Sequence, residues 1–175
     1  MNGTGGSVSP RRLILMRHAT AKAGGGSDAK RPLSSRGQKE AQAVGERLRS
    51  AELVPDRVLC STAIRCRETW QGVSQAFTGS IRLELIERIY NASPTALLEA
   101  IAESDDAETL LVIAHNPGIS MLALELAGDS EGVRATGIGA GFSPAAIACF
   151  EVEGSFSLVS RRSARLILFE HPPRT

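Results

Sequence analysis

Short apolar runs alternate with helical patterns along this chain, and this alternation most constrains its fold. RLILM (12–16), DRVLCS (56–61) and TLLVIA (109–114) each contain a continuous apolar run of strand length, which is typical of strands buried on both faces. Between these runs, apolar residues recur at the spacing of amphipathic helices. The alternation predicts an α/β fold, with one three-layer α/β/α domain and a mainly parallel central sheet.

Four helices are predicted, and three of them carry recognisable end signals. The first begins at a capping box of Ser35 and Gln38. The third begins at Ser93, with Pro94 in its first turn, and the fourth ends at Gly128. The second helix is expected to place four apolar side chains in the core: Ile64, Trp70, Val73 and Phe77.

The C-terminal part of the chain is rich in β-forming residues. Segments 145–152, 156–161 and 164–169 are predicted as three strands at hairpin spacing. Upstream, IRLELI (81–86) fits either a short strand or an extended edge segment.

Residues 1–10 are expected to form a disordered leader and residues 11–171 a single domain. A chain of 175 residues is long enough for one domain with a real core and too short for two ordinary ones. Segment 19–32 is a loop containing the glycines at 24–26. Its composition fits a substrate lid and a simple linker equally well.

Charge, apolar runs and cysteine content indicate which partners and which cellular location to expect. A net charge of +1 gives no overall field that favours nucleic acid or an acidic membrane. The apolar run Leu13–Met16 is far too short for a signal peptide or a membrane span. The three cysteines form no CxxC pair and are expected to be buried thiols. We therefore expect a cytoplasmic monomer without nucleic-acid or membrane partners.

Side chains that could act in catalysis or bind an anion follow three of the predicted strands. The first strand ends at Arg17 and His18, Arg65 follows the second, and the third ends at His115 and Asn116. In open α/β sheets, ligands bind beyond the carboxyl ends of the strands. We therefore expect two histidines and two arginines to meet in one crevice.

This set of side chains suits a phosphoryl group. Guanidinium groups form fork-shaped hydrogen bonds to phosphate oxygens. A neutral imidazole can attack phosphorus where cations disperse the developing charge, and a second, protonated imidazole would stabilise the oxygens. Such a site needs no metal and no cofactor. From the residues alone, a structural role for either histidine stays open.

Four motifs, in order, resemble a known family. LILMRHATAK is similar to the Arg-His signature of the histidine phosphatase (phosphoglycerate mutase-like) superfamily, with Ala19 where glycine is usual. The other three are similar to the compact SixA-type phosphohistidine phosphatases: AKRPLSSRG (29–37), VLCSTAIRCRETW (58–70) and LVIAHNPGIS (111–120). Together the motifs extend the resemblance over residues 12–170.

The resemblance implies a phosphoglycerate mutase-like fold and a role for each matching residue. His18 would be the nucleophile that becomes phosphorylated. Arg17 and Arg65 would bind the phosphoryl oxygens, and His115 would complete the pocket. In the wider family an acidic residue protonates the leaving group, and Glu87 occupies the matching segment, LELIERIYNAS.

Several of these assignments have alternatives. Glu87 fits a surface carboxylate as well as an acid, and Glu84 is a weaker candidate for the same role. Asn116 suits phosphate binding, orientation of His115 or helix capping, and Arg31 suits either the site or a surface ion pair.

The resemblance implies a metal-independent phosphatase with a phosphohistidine intermediate. Its favoured substrate is phosphohistidine on a signalling or phosphotransfer protein, because a short chain leaves few residues to enclose a small ligand. The alternatives are a phosphomonoesterase acting on a small phosphorylated metabolite, with segment 19–32 as its lid, and a non-catalytic phosphate-binding module.

Overall fold

One sheet flanked by helices forms the fold. The computed structural model describes residues 10–24, 26–128, 137–160 and 164–172. The strands within these ranges are β1 (Arg11–Arg17), β2 (Arg57–Ser61), β3 (Arg82–Ile86), β4 (Thr109–Ala114), β5 (Ile147–Val152) and β6 (Ala164–Glu170). The helices of at least two turns are α1 (Ser35–Ser50), α2 (Ile64–Ser74), α3 (Pro94–Ala102) and α4 (Gly118–Ala127).

The strand order is β3-β2-β4-β1-β5-β6. The first four strands of this order are parallel, whereas β5 and β6 are antiparallel additions at one side. Leu15 of β1 lies opposite Val112 on β4 and Ala148 on β5. The predicted α/β fold with a mainly parallel sheet is confirmed.

Successive residues of β1 belong to two different cores. Leu13 and Leu15 pack in the core that also contains residues of α3 and α4. Ile14 and Met16 pack in the core that contains residues of α1 and α2. All four are fully buried, and each such side chain contributes at most about 1.5–3 kcal/mol relative to an exposed one. A helical layer on each face therefore explains the uninterrupted apolar run, and the three-layer prediction is confirmed.

Helix α1 is capped by Ser34 and not by Ser35, so the predicted capping box of Ser35 and Gln38 is wrong. Ser34 has extended backbone angles, and its side chain accepts a hydrogen bond from the Gly37 amide at 3.0 Å. The same hydroxyl donates to the Thr20 carbonyl at 3.0 Å. A Cβ atom on Gly37 would lie 2.0 Å from that carbonyl oxygen, so the start of α1 packs tightly on the loop that follows β1.

The predicted core face of α2 is only partly correct. Val73 is buried, but Ile64, Trp70 and Phe77 are only half-buried. The inward face instead includes two polar side chains, Arg65 and Thr69, because the start of α2 lies at the end of the sheet where the candidate site forms. Its buried residues are Arg65, Cys66, Thr69, Gly72 and Val73.

The prediction of a strand at 156–161 is wrong. Phe156–Leu158 forms a 3-10 turn, residues 159–160 are not in a strand, and residue 161 lies outside the described residues. Phe156 is fully buried, so its apolar character reflects core packing and not sheet pairing. The strands predicted at 145–152 and 164–169 are confirmed as β5 and β6, which pair directly. In segment 81–86, Arg82–Ile86 forms the parallel edge strand β3.

The other helix ends agree with the sequence. Ser93 caps α3 by accepting from the Ala96 amide at 3.3 Å, and Gly128 follows α4 with φ 72°. Residues 1–9 of the expected leader and Gly25 of the glycine loop lie outside the described residues.

All three cysteines are free thiols and buried, as expected. No helix in the described part of the chain is both long and apolar enough to cross a bilayer.

Candidate active site

The carboxyl ends of β2, β4 and β1 bring the predicted site residues together. These strands are neighbours in the sheet, so the residues that follow them meet at one edge. The ring centroids of His18, after β1, and His115, after β4, are 5.3 Å apart. Arg65, on the first turn of α2 after β2, contacts both rings.

Both ring nitrogens of His18 have hydrogen-bond partners, and Nε2 is the unprotonated one. Its Nδ1 lies 2.8 Å from the Ala19 carbonyl oxygen, and because that oxygen can only accept, Nδ1 carries the proton. The lone pair of Nε2 faces Arg65, whose Nε donates to it at 3.2 Å. The Ala19 amide donates to Thr69 Oγ1 at 3.0 Å, which fixes the backbone beside the ring.

The surroundings of His18 favour its neutral form. Burial is the main cause that lowers the pKa of His18, from 6.5 to about 4, and the charges of Arg65 and Arg17 act in the same direction. The imidazole is therefore neutral at neutral pH, with the lone pair of Nε2 unprotonated.

His115 has the opposite tautomer. Its Nδ1 accepts from Arg65 Nη2 at 3.1 Å, because a guanidinium can only donate. Its Nε2 therefore carries the proton and donates to Ser61 Oγ at 2.7 Å. Burial, then the charge of Arg65, lowers the pKa of His115 to about 3. The neutral ring is thus favoured, in contrast to the protonated ring expected from the sequence.

Arg17 and Asn116 lie side by side and share one partner. Arg17 Nη1 donates to the Phe142 carbonyl oxygen at 2.8 Å, and Asn116 Nδ2 donates to the same oxygen at 3.0 Å. Among the described residues, Arg17 Nε and Asn116 Oδ1 are buried without a hydrogen-bond partner. Burial, then the charge of Arg65, lowers the pKa of Arg17. The charges of the two guanidinium groups therefore interact.

Asn116 does not cap α4. Pro117 occupies the N-cap position, where no side chain forms a cap hydrogen bond. The capping alternative for Asn116 is therefore wrong.

The structure does not bring Glu87 into contact with the histidines. Glu87 is exposed at the start of a 3-10 turn, Glu87–Ile89. Within the described ranges its carboxylate forms no hydrogen bond or ion pair. The other candidate, Glu84, pairs instead with Arg57 and Arg82.

Two residues at the site, Asp28 and Tyr90, were missed in the sequence. Arg65 Nη2 donates to the Asp28 carboxylate at 2.9 Å, and Tyr90 Oη donates to the same carboxylate at 2.6 Å. The Tyr90 ring also packs edge-on against His115, with 5.1 Å between centroids. The Tyr90 hydrogen bond, then that from Arg65, lowers the pKa of Asp28 to about 2. Tyr90 is the single tyrosine of the chain and lies three residues after Glu87, a signal that could have drawn attention to it.

Arg31 belongs to the surroundings of this carboxylate. Its Nε lies 3.1 Å from Asp28 Oδ1, and its charge contributes to the lowered pKa of His18. Arg67, two residues after Arg65, is exposed on the other side of α2. In the described part of the chain, no cluster of three or more His, Cys, Asp or Glu side chains is arranged to hold a metal ion.

Comparison with known proteins connects this geometry to a family. The model of the histidine phosphatase superfamily (branch 1) matches residues 13–94. An uncharacterized protein of Mycobacterium tuberculosis is 39% identical over 164 residues, 91% of this chain and 100% of that protein. A SixA homolog of Haemophilus influenzae, named as a phosphohistidine phosphatase, is 27% identical over 168 residues, 90% of this chain and 98% of that protein.

A solved structure from Nakamurella multipartitia, which carries a provisional assignment as phosphohistidine phosphatase SixA, superposes with a TM-score of 0.83. It is 30% identical, and the match covers 94% of this chain and 98% of that one. The chain therefore belongs to the histidine phosphatase superfamily and is a phosphatase. Within that superfamily it is of the SixA type.

Proposed function

We propose that this phosphatase hydrolyses phosphohistidine on a protein, through a phosphorylated His18 and without a metal or cofactor. The observation that carries the proposal is the position of the neutral His18 Nε2, 3.2 Å from the guanidinium of Arg65. Both groups lie beside His115. A nucleophile, an anion-binding cation and a second imidazole thus share one pocket.

In the proposed first step, His18 Nε2 attacks phosphorus. A P–Nε2 bond forms, and the bond from phosphorus to the substrate imidazole breaks. The electron pair of that bond goes to the substrate nitrogen, which leaves as a neutral imidazole when the ring was already protonated. Water then attacks phosphorus, and the P–Nε2 bond breaks with its electron pair returning to Nε2. Inorganic phosphate leaves with the protons of the water, and His18 returns to its neutral form.

The cations around His18 supply charge stabilisation in both steps. Arg17 and Arg65 bind the phosphoryl oxygens, and Arg17 Nε is a buried donor without a partner in the described residues. A bound phosphoryl dianion also raises the pKa of the neighbouring His115.

The substrate class follows from the leaving group. An alkyl phosphate releases an alkoxide, which needs a proton donor held at its oxygen. Glu87 is the proposed donor, but it is exposed and has no partner that orients it among the described residues. A protonated imidazole leaves without such help. The rim of the site is also open, because the Asp28 side chain is 51% exposed, which suits a protein side chain as substrate.

A small-molecule phosphomonoesterase is the second candidate. The loop expected to act as a lid already reaches the site, because both the Asp28 carbonyl and its carboxylate accept hydrogen bonds from Arg65. A non-catalytic phosphate-binding module is less compatible with the geometry, since a pure binding site does not require a neutral imidazole whose unprotonated Nε2 faces the anion-binding guanidinium.

Hydrolysis by the wild type and by His18→Ala tests the proposal. The substrates are a phosphohistidine protein, a sugar phosphate and a nucleotide. We expect His18→Ala to lower kcat by about 10³-fold or more and to lose a phosphorylated enzyme intermediate. His171→Ala serves as the control, because His171 is an exposed histidine outside the pocket. Unchanged hydrolysis by His18→Ala contradicts the proposed mechanism. If the wild type turns over the sugar phosphate or the nucleotide faster than the phosphohistidine protein, the proposed substrate is wrong.

The same assay has two further arms. Glu87→Gln should slow the sugar phosphate more than phosphohistidine, and equal losses would argue against Glu87 as the acid. Activity should persist in EDTA, whereas a loss that Mg²⁺ restores would contradict a metal-free mechanism.

The free, buried cysteines are compatible with the cytoplasm, the proposed location, where phosphotransfer proteins are available as partners.

A further inference from the structure

We propose that Asp28 is a positioning residue, which holds the guanidinium of Arg65 so that its Nε–Nη2 edge faces the phosphoryl site. The inference rests on the proposed function, since it concerns the same phosphoryl site. Asp28 does not touch the histidines in this arrangement and acts through Arg65.

The hydrogen bonds of Arg65 separate into two sets. At the far end of the guanidinium, Nη1 donates to the Asp28 carbonyl oxygen at 2.6 Å and Nη2 donates to the carboxylate at 2.9 Å. On the side edge, Nε faces His18 Nε2 at 3.2 Å and Nη2 faces His115 Nδ1 at 3.1 Å. Because the guanidinium is planar and rigid, two bonds at the far end fix the direction of the edge that meets the phosphoryl group.

Asp28 is itself held from several sides. Tyr90 Oη donates to Oδ2 at 2.6 Å, and Arg31 Nε lies 3.1 Å from Oδ1. These partners keep the carboxylate ionised, so it retains its charge across the neutral range. Hydrogen bonds also close the base of the loop: Lys22 to Pro32 at 2.9 Å, Leu33 to Glu68 at 2.6 Å and Thr20 to Glu40 at 2.9 Å.

A competing interpretation is that Asp28 blocks the site by occupying the place of the phosphate. The geometry favours positioning, because the carboxylate takes the far end of the guanidinium and leaves the edge beside His18 and His115 to face the pocket. The two interpretations predict opposite effects when the carboxylate is removed. A blocking group gives tighter anion binding on removal, and a positioning group gives weaker binding.

The test uses Asp28→Ala and Asp28→Asn in the full chain, with p-nitrophenyl phosphate as substrate and tungstate as a binding probe. We expect Asp28→Ala to lower kcat/KM by about 10- to 100-fold, mainly through kcat, and to weaken tungstate binding by a similar factor. Asp28→Asn keeps one oxygen acceptor and should fall between Asp28→Ala and the wild type. Because Asp28 is half-exposed, the melting temperature should change little.

Glu46→Ala is the matched control, because it removes one carboxylate from an exposed ion pair, with Arg49, on α1. Its kcat/KM and tungstate affinity should equal those of the wild type. Unchanged or tighter tungstate binding in both Asp28 variants overturns the proposal. Calorimetry of tungstate needs no turnover, so this outcome is distinct from failure of the phosphohistidine assignment, which the His18→Ala and substrate comparisons decide.

Discussion

Each of the two buried histidines has a hydrogen-bond partner that determines which ring nitrogen carries the proton. The Ala19 carbonyl places the proton of His18 on Nδ1, and Ser61 Oγ accepts a hydrogen bond from His115 Nε2, which places the proton of His115 there. Arg65 donates toward the remaining nitrogen of each ring. The two imidazoles are therefore oriented by different partners, while one guanidinium faces both rings.

The low pKa of His18 gives a prediction about pH. Because burial lowers this pKa from 6.5 to about 4, the ring should stay neutral as the pH falls below 6.5 and become protonated only near pH 4. Titration of the imidazole by NMR, with assignment from His18→Gln, should show a midpoint near 4. A midpoint at or above 6.5 would contradict the structure.

The same shift affects folding. The unfolded chain binds a proton on this histidine near pH 6.5, whereas the folded chain binds it near pH 4. The contribution of His18 is therefore fully present above pH 6.5 and is lost as the pH falls toward 4, by at most about 3 kcal/mol. Denaturant unfolding of His18→Gln should accordingly depend less steeply on pH over this interval than that of the wild type.

At the scale of elements, local patterns predicted most strands and helices but not every end. The run 109–114 became β4 and the signals at Ser93 and Gly128 mark real helix ends. The spacing of Ser35 and Gln38 favours the second serine as the cap, but the contacts of Ser34 with the Gly37 amide and the Thr20 carbonyl select the first. Asp28 could not be found locally, because its partners Arg65 and Tyr90 lie 37 and 62 positions away.

The two serines give a direct test of the α1 cap. Ser34→Ala removes the acceptor of the Gly37 amide and the donor to the Thr20 carbonyl, so we expect a loss of about 1–2 kcal/mol in the free energy of unfolding. Ser35→Ala, at an exposed helical position, should change it by less than about 0.5 kcal/mol. Urea denaturation of both variants measures the difference. Equal effects would show that Ser34 is not the cap.

At the scale of the whole molecule, the site exists only when the sheet has formed. His18, Arg65 and His115 follow strands that are distant in sequence and adjacent in the order β2-β4-β1. The sequence predicted these residues and the strands that they follow. It also predicted that His18, Arg65 and His115 converge, because parallel strands present their carboxyl ends at one edge of the sheet. The position of the loop that carries Asp28 depends on tertiary contacts alone, namely those of Asp28 with Arg65 and Tyr90.

A site that depends on the complete sheet should couple anion binding to folding. Inorganic phosphate at about 100 times its dissociation constant should stabilise the folded chain by about 2.7 kcal/mol, a rise of roughly 5–10 °C in melting temperature for a chain of this size. Arg65→Ala should abolish the rise, because Arg65 is 3% exposed and contacts both histidines. Arg67→Ala removes an equal charge from the exposed side of α2 and should keep the full shift. Chloride at matched ionic strength separates specific binding from screening, and an equal shift in Arg65→Ala and the wild type would mean that phosphate binds elsewhere.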